Sequence, residues 1–284
     1  MIQIFVDSGA NLSPELREQY NIHLLPMALT IDDQPAPEGL DGHEYYEALR
    51  SGADVRTSMV NPDDARKAFE PYIAQGDDVV YFSISAGISG SWWSAKLAGD
   101  ELMEQYPQRR VCPIDSMGAS LGAGIPALKA SSLVRQGMGL DELVEKMTVY
   151  CQNYCQYFAV DDLKYLRKGG RLPAAVAVAG GMLGIKPLIT IKEGKVAMAG
   201  KARGLPGAYV ALFKKVEELG GISAAVPALA GYTLSAREVQ PIQTYLQDNL
   251  QCAEPLVQQI GCVIGTHAGP GAFGLAFFDQ GLEL

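Results

Sequence analysis

The chain has 284 residues, of which 48% are hydrophobic, and it carries a formal net charge of -9. That length gives ample core for two compact domains. The acidic balance argues against nucleic acid or an anionic membrane surface as a partner, because either would be repelled unless the protein carried a dedicated basic patch. We therefore expect no nucleic-acid partner.

From the N-terminal segment and the cysteines we expect a cytoplasmic protein. Met1 leads directly into the strand-like Ile2–Val6 segment, with no basic leader and no apolar signal core. The five cysteines are odd in number and lie mostly in apolar or helical stretches, which is typical of reduced thiols. Cys151 and Cys155 lie four apart, but two thiols without a second pair do not make a zinc site, so we expect no metal.

The first half of the chain alternates between short apolar runs and helical patterns. The runs are rich in Val, Ile and Phe and fall at 2–6, 22–29, 79–84 and 111–114. This alternation predicts a parallel sheet. Ser13 and Asn61 are each followed by proline, which predicts a helix start at both places. Further helices are predicted over 91–106, 119–135 and 141–155.

Beyond about residue 160 the pattern changes. Period-two alternation around Glu193-Gly194 predicts a hairpin from Leu188 to Ala199. Helices over 206–219 and 235–250, and strands near 225–231, 254–260, 262–266 and 272–278, complete this half. We therefore predict a two-domain α/β protein, with a Rossmann-like parallel-sheet domain at 1–160 and an α/β domain with a mixed or antiparallel sheet at 161–284.

The most apolar stretch of the chain runs from Leu172 to Ile185. It is shorter than the ~20 residues that a membrane-spanning helix needs. We expect a buried helix or a ligand wall there, and no stable insertion into a membrane.

Two hydroxyl-rich segments of the first half predict an anion site. Thr57 and Ser58 precede a capped helix, and Ser89, Gly90 and Ser91 lie between a buried strand and the next helix. A helix start leaves backbone N–H groups free and partly positive, so hydroxyls and amides there bind carboxylate or phosphate well. Ligands of parallel sheets also bind at the carboxyl ends of the strands. The alternative is a polar loop whose hydroxyls satisfy local backbone groups.

Two residues of the second half are candidates for the positive charge of this site. Arg171 follows two glycines, which allow a tight turn, and its planar guanidinium can hold two acidic oxygens at once. His267 follows the strand predicted over 262–266 and precedes the turn that ends at Gly271. The alternatives are an ion pair of Arg171 with Asp161 or Asp162, and a hydrogen-bonded core role for His267.

In this order the motifs resemble the DegV family, whose members include the fatty-acid-binding subunits of bacterial fatty acid kinase. The resemblance runs end to end and rests on Val6-Asp7-Ser8, Thr57-Ser58, Ile88-Ser89-Gly90-Ser91, Ile114-Asp115-Ser116, Val160-Asp161-Asp162-Leu163, Gly169-Gly170-Arg171, Ile185-Lys186-Pro187 and His267 through Gly271.

The resemblance implies that a long-chain fatty acid lies buried between the two domains, with its carboxyl group at Thr57 and Ser89. It also implies that the chain is not a complete enzyme. A separate ATP-binding kinase subunit would convert the presented carboxylate to an acyl phosphate, whose charge Arg171 and His267 would stabilise.

Nothing in the sequence indicates a nucleotide cofactor. The glycine-rich run at 118–124 lacks the lysine of a Walker loop and the spacing of a dinucleotide fingerprint. We therefore expect no cofactor, and the bound fatty acid as ligand.

Two other functions stay open. Gly87-Ile-Ser89-Gly-Ser91 is one residue short of the Gly-x-Ser-x-Gly turn of hydrolases, and Ser89 precedes His267 in the chain order of that class. The chain would then be a serine hydrolase of acyl esters, although Ser91 in place of the last glycine argues against it. The other alternative is a lipid sensor without a kinase partner.

Overall fold

We describe a computed structural model of the chain, which covers residues 1–37, 40, 42–173, 184–223, 226–250 and 255–279. The strands are β1 Ile2–Asp7, β2 Ile22–Leu25, β3 Leu29–Ile31, β4 Gln34–Pro35, β5 Val55–Thr57, β6 Asp78–Ser83, β7 Val111–Asp115, β8 Tyr154–Ala159, β9 Ile185–Lys192, β10 Lys195–Arg203, β11 Leu229–Tyr232, β12 Leu256–Gln259 and β13 Phe273–Phe278. The helices are α1 Pro14–Tyr20, α2 Gly42–Arg50, α3 Pro62–Ala74, α4 Ser91–Gln105, α5 Leu121–Arg135, α6 Leu140–Tyr150, α7 Lys164–Lys168, α8 Gly204–Glu218, α9 Gln240–Leu250 and α10 Cys262–Ala268.

The first half forms a parallel sheet with the strand order β2-β1-β6-β7. Its strands are the four apolar runs of the sequence, buried because helices cover the sheet. Both predicted helix starts are present. Ser13 Oγ accepts from the Leu16 N–H at 3.3 Å, and Asn61 Oδ1 accepts from the Asp63 N–H at 2.8 Å.

The second half forms a mixed sheet with the order β10-β9-β8-β13-β11-β12. Neighbouring strands are antiparallel except β11 and β12, which are parallel. The predicted hairpin is β9 and β10, and the predicted α/β fold class is confirmed. Strand β8 already belongs to this sheet, although it precedes residue 161, and the division into 1–160 and 161–284 stays a prediction.

Helix α5 lies between the two sheets. It contacts strands of the first sheet, β1 and β6, and strands of the second, β8, β11 and β13. Most of its residues are buried, and two of its glycines allow close approach: a Cβ at Gly122 would lie 2.4 Å from Gln156 Oε1, and one at Gly124 would lie 2.7 Å from Leu12 Cδ2. The glycine-rich run at 118–124 therefore serves packing here.

The strand predicted over 262–266 is wrong, because these residues form helix α10. A short apolar run without alternation fits a buried helix as well as a buried strand. Thr266 Oγ1 donates to the Cys262 carbonyl at 2.8 Å, which is the spacing of one helical turn. Gly265 lets the helix approach α2, since a Cβ there would lie 2.2 Å from the Tyr46 hydroxyl.

Two other predicted elements differ in extent. The helix predicted over 141–155 ends at Tyr150, and β8 begins at Tyr154. The aromatic residues of this segment favour a strand, and that preference outweighs the continued helical pattern. The run at 22–29 is divided into β2 and the first residue of β3.

A small antiparallel sheet, with the order β4-β3-β5, was not predicted. Its strand β5 ends at Thr57, so this sheet carries one of the candidate site residues. Residues 174–183, most of the apolar segment for which we predicted a buried helix or a ligand wall, lie outside the described residues. No helix in the described part of the chain is long and apolar enough to cross a membrane.

Candidate functional site

Thr57 and His267 lie next to each other, although 210 positions separate them in sequence. Thr57 Oγ1 and His267 Nε2 are 2.9 Å apart, within hydrogen-bond distance. Thr57 ends β5, and His267 lies in the last turn of α10 rather than at the end of a strand. The contact brings a hydroxyl of the first half to an imidazole of the second, as the anion-site hypothesis requires.

The His267 ring is neutral at pH 7. Burial, together with the positive charge of Arg171, lowers its pKa from 6.5 to about 4. With that pKa the ring carries no positive charge at pH 7, and the role that we predicted for His267 in anion binding stays a prediction. Its ring is a neutral hydrogen-bonding group, with one nitrogen facing Thr57.

Gly169 fixes the other side of the His267 ring. A Cβ added at Gly169 would lie 2.0 Å from His267 Nδ1, so only glycine allows the ring to lie where it does. Nδ1 is buried and has no hydrogen-bond partner among the described residues. The first glycine of the Gly-Gly-Arg turn thus makes room for the histidine.

Arg171 lines the site and is hydrogen-bonded to two backbone carbonyls. Its Nε donates to the Ile88 carbonyl at 3.3 Å, and one terminal nitrogen donates to the Gly169 carbonyl at 2.6 Å. No ion pair among the described residues includes it. Asp161 pairs with Lys186 and Asp162 lies 3.5 Å from Lys164, so the predicted alternative of a structural ion pair is not what forms.

The serine turn is joined to the Thr57 loop. Ser89 Oγ and Ser91 Oγ are 2.9 Å apart, and Ser91 Oγ accepts the backbone N–H of Val60 at 3.1 Å. Met59 packs directly over Gly90, where a Cβ would lie 2.4 Å from its sulfur. The turn and the loop therefore form one unit, and both serine side chains are buried.

The remaining candidates contribute backbone groups to local contacts. Ser58 is exposed, and its N–H donates to the Ala28 carbonyl at 2.9 Å. The Ser91 N–H, which we expected to face an anion, donates to Ser89 Oγ at 3.3 Å. Gly90 is the N-cap residue of α4 and has no side chain to cap it.

Arg171 and His267 lie between two cavities of opposite character. On one side is an open cleft of about 580 Å³, which Thr57 and Gly169 also line. On the other side is a narrow cavity of about 70 Å³, and the atoms of the described residues that face it are apolar. Several apolar side chains form its wall: Ile88, Phe158, Leu166, Ile189, Ile191 and Ile264.

Sequence reasoning missed this wall and the basic rim of the cleft. Ile189 and Ile191 alternate along β9, and that period-two signal could have placed them on one face of the sheet. Lys164 and Lys168 lie one turn apart on α7, just before the Gly-Gly-Arg turn, and both line the cleft. Lys168 is held by Asp54, at 2.9 Å.

The geometry does not assemble a hydrolase site. Across the described residues, neither nitrogen of His267 is hydrogen-bonded to Ser89, because Nε2 faces Thr57 and Nδ1 faces Gly169. Ser89 is hydrogen-bonded to another serine. A nucleophilic serine needs an adjacent base, itself oriented by a third group, and His267 is not placed to be that base.

The fold is that of an α/β protein with one parallel and one mixed sheet. Its candidate site is polar and half-buried, and it lies between an apolar cavity and an open cleft. The chain belongs to the DegV family: the model of that family, described as an uncharacterised protein family, matches residues 1–280.

Individual relatives match over nearly the whole chain. A DegV domain-containing protein of Deinococcus radiodurans is 31% identical and covers 97% of both chains. A solved structure described as fatty acid binding of a DegV family protein from Thermus thermophilus is 29% identical, with a TM-score of 0.89 over 98% of this chain and 99% of that one. The structure of DegV from Bacillus subtilis, described as a fatty acid binding protein, is 27% identical, with a TM-score of 0.85 over 98% and 99%.

The fit of Gly169 against His267 generates a prediction for Gly169→Ala. The added methyl group should push the ring towards solvent, so that the pKa of His267 rises from about 4 towards the 6.5 of an exposed imidazole. The titration of the ring protons, followed by NMR, measures this change.

Gly139→Ala is the matched control. Gly139 also has a negative φ, and nothing lies within 4 Å of an added Cβ. A His267 pKa that is the same in Gly169→Ala as in the unaltered protein would contradict the packing described.

Proposed function

We propose that this chain binds a long-chain fatty acid in the cytoplasm and presents its carboxylate to a separate ATP-binding kinase subunit, which converts it to an acyl phosphate. The observation that carries the proposal is that Arg171 and His267 line both the apolar cavity and the open cleft. A fatty acid has the matching form, with an apolar chain and a charged head.

The comparisons support the ligand class. The Thermus thermophilus and Bacillus subtilis structures are described as those of fatty-acid-binding proteins, and both cover nearly the whole of this chain. The carboxyl group would lie at Thr57 and Ser89. The neighbouring Ser58, Gly90 and Ser91 would take part through the loop and the turn that carry Thr57 and Ser89, with Arg171 and His267 at the side of the cleft.

A bound carboxylate would fix the direction of the hydrogen bond between Thr57 and His267. An ionised carboxylate only accepts hydrogen bonds, so the Thr57 hydroxyl must donate to it. The Thr57 oxygen then accepts the Nε2–H of His267, which a neutral ring can provide. A neutral His267 therefore orients the hydroxyl without neutralising the head group.

The hydrocarbon chain would supply most of the affinity. Each buried CH₂ group contributes about 0.8 kcal/mol, so a long chain in an apolar cavity offsets the conformational freedom that it loses on binding. The wall formed by Phe158, Ile189 and Ile191 presents no polar atom that a second polar group on the ligand would need.

Phosphoryl transfer would take place on the side of the cleft. A carboxylate oxygen of the fatty acid would attack the terminal phosphorus of ATP on the partner, and the bond to the leaving ADP would break. Arg171 has no acidic partner among the described residues, so its guanidinium is available to the charge that builds up on the transferred group.

The head-group contacts generate a prediction for Thr57→Ala and Ser89→Ala. Each change removes a hydrogen bond to a charged group, which is worth about 1.5–3 kcal/mol, so fatty-acid affinity should fall by about tenfold to a hundredfold. Displacement of a fluorescent fatty-acid analogue measures the affinity. Thr57→Ser keeps the hydroxyl and is the control; if Thr57→Ala bound as tightly as Thr57→Ser, the carboxyl group would not lie at Thr57.

Arg171→Ala and His267→Ala should separate binding from transfer. The hydrocarbon chain still binds in both variants, so most of the affinity should persist, whereas acyl-phosphate formation should fall once the kinase subunit and ATP are added. Hydroxylamine trapping of the acyl phosphate measures the product. If both variants formed as much acyl phosphate as the unaltered protein, Arg171 and His267 would have structural roles only.

A further inference from the structure

A further cavity, of about 380 Å³, lies at the edge of the parallel sheet. Strand β7 is the edge strand, and the cavity lies at its carboxyl end, where the strand finishes at Asp115. The first turn of α4 and the last turn of α6 form its other walls. Ligands of parallel sheets bind at this end of the strands. The cavity is therefore in a usual place for a ligand site, and the proposed function does not use it.

Both tryptophans of the chain, Trp92 and Trp93, line this cavity. Their rings stand at right angles, with an interplanar angle of 89° and ring centroids 4.6 Å apart. The Trp92 ring is fixed, because its Nε1–H donates to the Pro113 carbonyl of β7 at 3.1 Å. Trp93 is 63% exposed. The face of an indole ring carries partial negative charge, so two such rings at one cavity attract a cation.

Asp115 brings a full negative charge to the same cavity. Its Oδ1 accepts the Met117 N–H at 2.8 Å, and its Oδ2 accepts the Ala86 N–H at 3.2 Å. No ion pair in the described part of the chain includes Asp115. Burial raises the pKa of its carboxyl group. The carboxylate therefore lacks a positive charge beside it that would offset its partial burial.

The basic side chains of the described residues do not provide that charge. The described lining of the cavity contains no lysine, arginine or histidine. Lys96, one turn after Trp92 on α4, pairs with Asp100, and both carboxylate oxygens lie within 2.9 Å of its Nζ. Elsewhere in the protein a cation does lie over an aromatic ring, as Lys164 does over Tyr165 at 4.9 Å. The two indole rings are thus left for a cation from outside the chain.

The cavity suits an organic cation better than a metal ion. A bound metal ion needs several ligand atoms, and no three His, Cys, Asp or Glu side chains of the described residues are grouped to hold one. A quaternary ammonium group has no N–H to be hydrogen-bonded, and aromatic faces with a nearby negative charge bind it well. We propose that the cavity at Trp92, Trp93 and Asp115 binds a quaternary ammonium compound of about the size of choline. This inference goes beyond the proposed function and does not depend on it.

Tryptophan fluorescence tests the proposal, because both tryptophans of the chain lie at the cavity. Choline titrated into the unaltered protein should change the fluorescence in a saturable way. The control ligand is the alcohol in which a tert-butyl group replaces the trimethylammonium group, since it keeps the shape and removes the charge. It should bind about fivefold more weakly or worse. No saturable response to choline, or equal binding of the two ligands, would overturn the proposal.

Trp93→Ala and Asp115→Asn should each lower choline affinity by about two- to tenfold, measured by isothermal titration calorimetry. Trp93 is exposed, so this variant should fold and decides the question even if Asp115→Asn does not fold. Leu97→Ala is the matched control, because Leu97 lies one turn after Trp93, is 52% exposed and does not belong to the described lining. Unchanged choline affinity in Trp93→Ala, or an equal loss in Leu97→Ala, would contradict the proposed site.

Vesicles of phosphatidylcholine present the same trimethylammonium group and distinguish a lipid head group from a free compound. Vesicle binding that Trp93→Ala abolishes would make the ligand a lipid head group, whereas binding of choline alone would make it a free compound. Binding of neither would overturn the proposal. The affinity for palmitate, measured on the same proteins, tests the proposed function separately.

Discussion

The hydrogen bond between Thr57 and His267 is the contact on which the rest of the site depends. It joins β5 of the small sheet to α10, which packs against α2. Two buried tyrosines of α2 hold the other partner in place: Tyr45 donates to Thr266, and Tyr46 donates to the Ile260 carbonyl, both at 2.7 Å. Because Thr266 precedes His267 directly, these tyrosines set where the imidazole lies.

Arg171 carries a positive charge at the boundary between the apolar cavity and the open cleft. His267 is neutral because it is buried beside Arg171, and Arg171 is bonded to two carbonyl oxygens rather than to a carboxylate. A guanidinium without an acidic partner, at the boundary between an apolar cavity and an open cleft, favours an amphiphilic anion over a fully polar one. The net charge of -9 does not oppose this, because the cleft gathers several basic side chains.

The sequence predicted those elements of the fold that depend on residues close together in the chain. The helix starts at Ser13 and Asn61 and the turn at Glu193-Gly194 form where the residue types require them. The four apolar runs of the first sheet form strands, which their content of Val, Ile and Phe favours.

The features that the sequence did not predict depend on contacts between residues far apart in the chain. The segment at 262–266 is a helix because it packs against Tyr46, some 220 residues away, and no local pattern records that neighbour. The short strand that ends at Thr57 exists because it pairs with β3. Likewise, the neutral state of His267 follows from burial against Gly169, which the sequence places almost a hundred positions earlier.

The central claim is that the apolar cavity behind Arg171 and His267 holds the hydrocarbon chain of a fatty acid. Extraction of the protein purified from bacteria, followed by mass spectrometry under denaturing conditions, tests this claim most directly. We expect close to one fatty acid of membrane-lipid chain length for each protein chain. Protein that repeatedly carried no lipid, or that carried a nucleotide in its place, would contradict it.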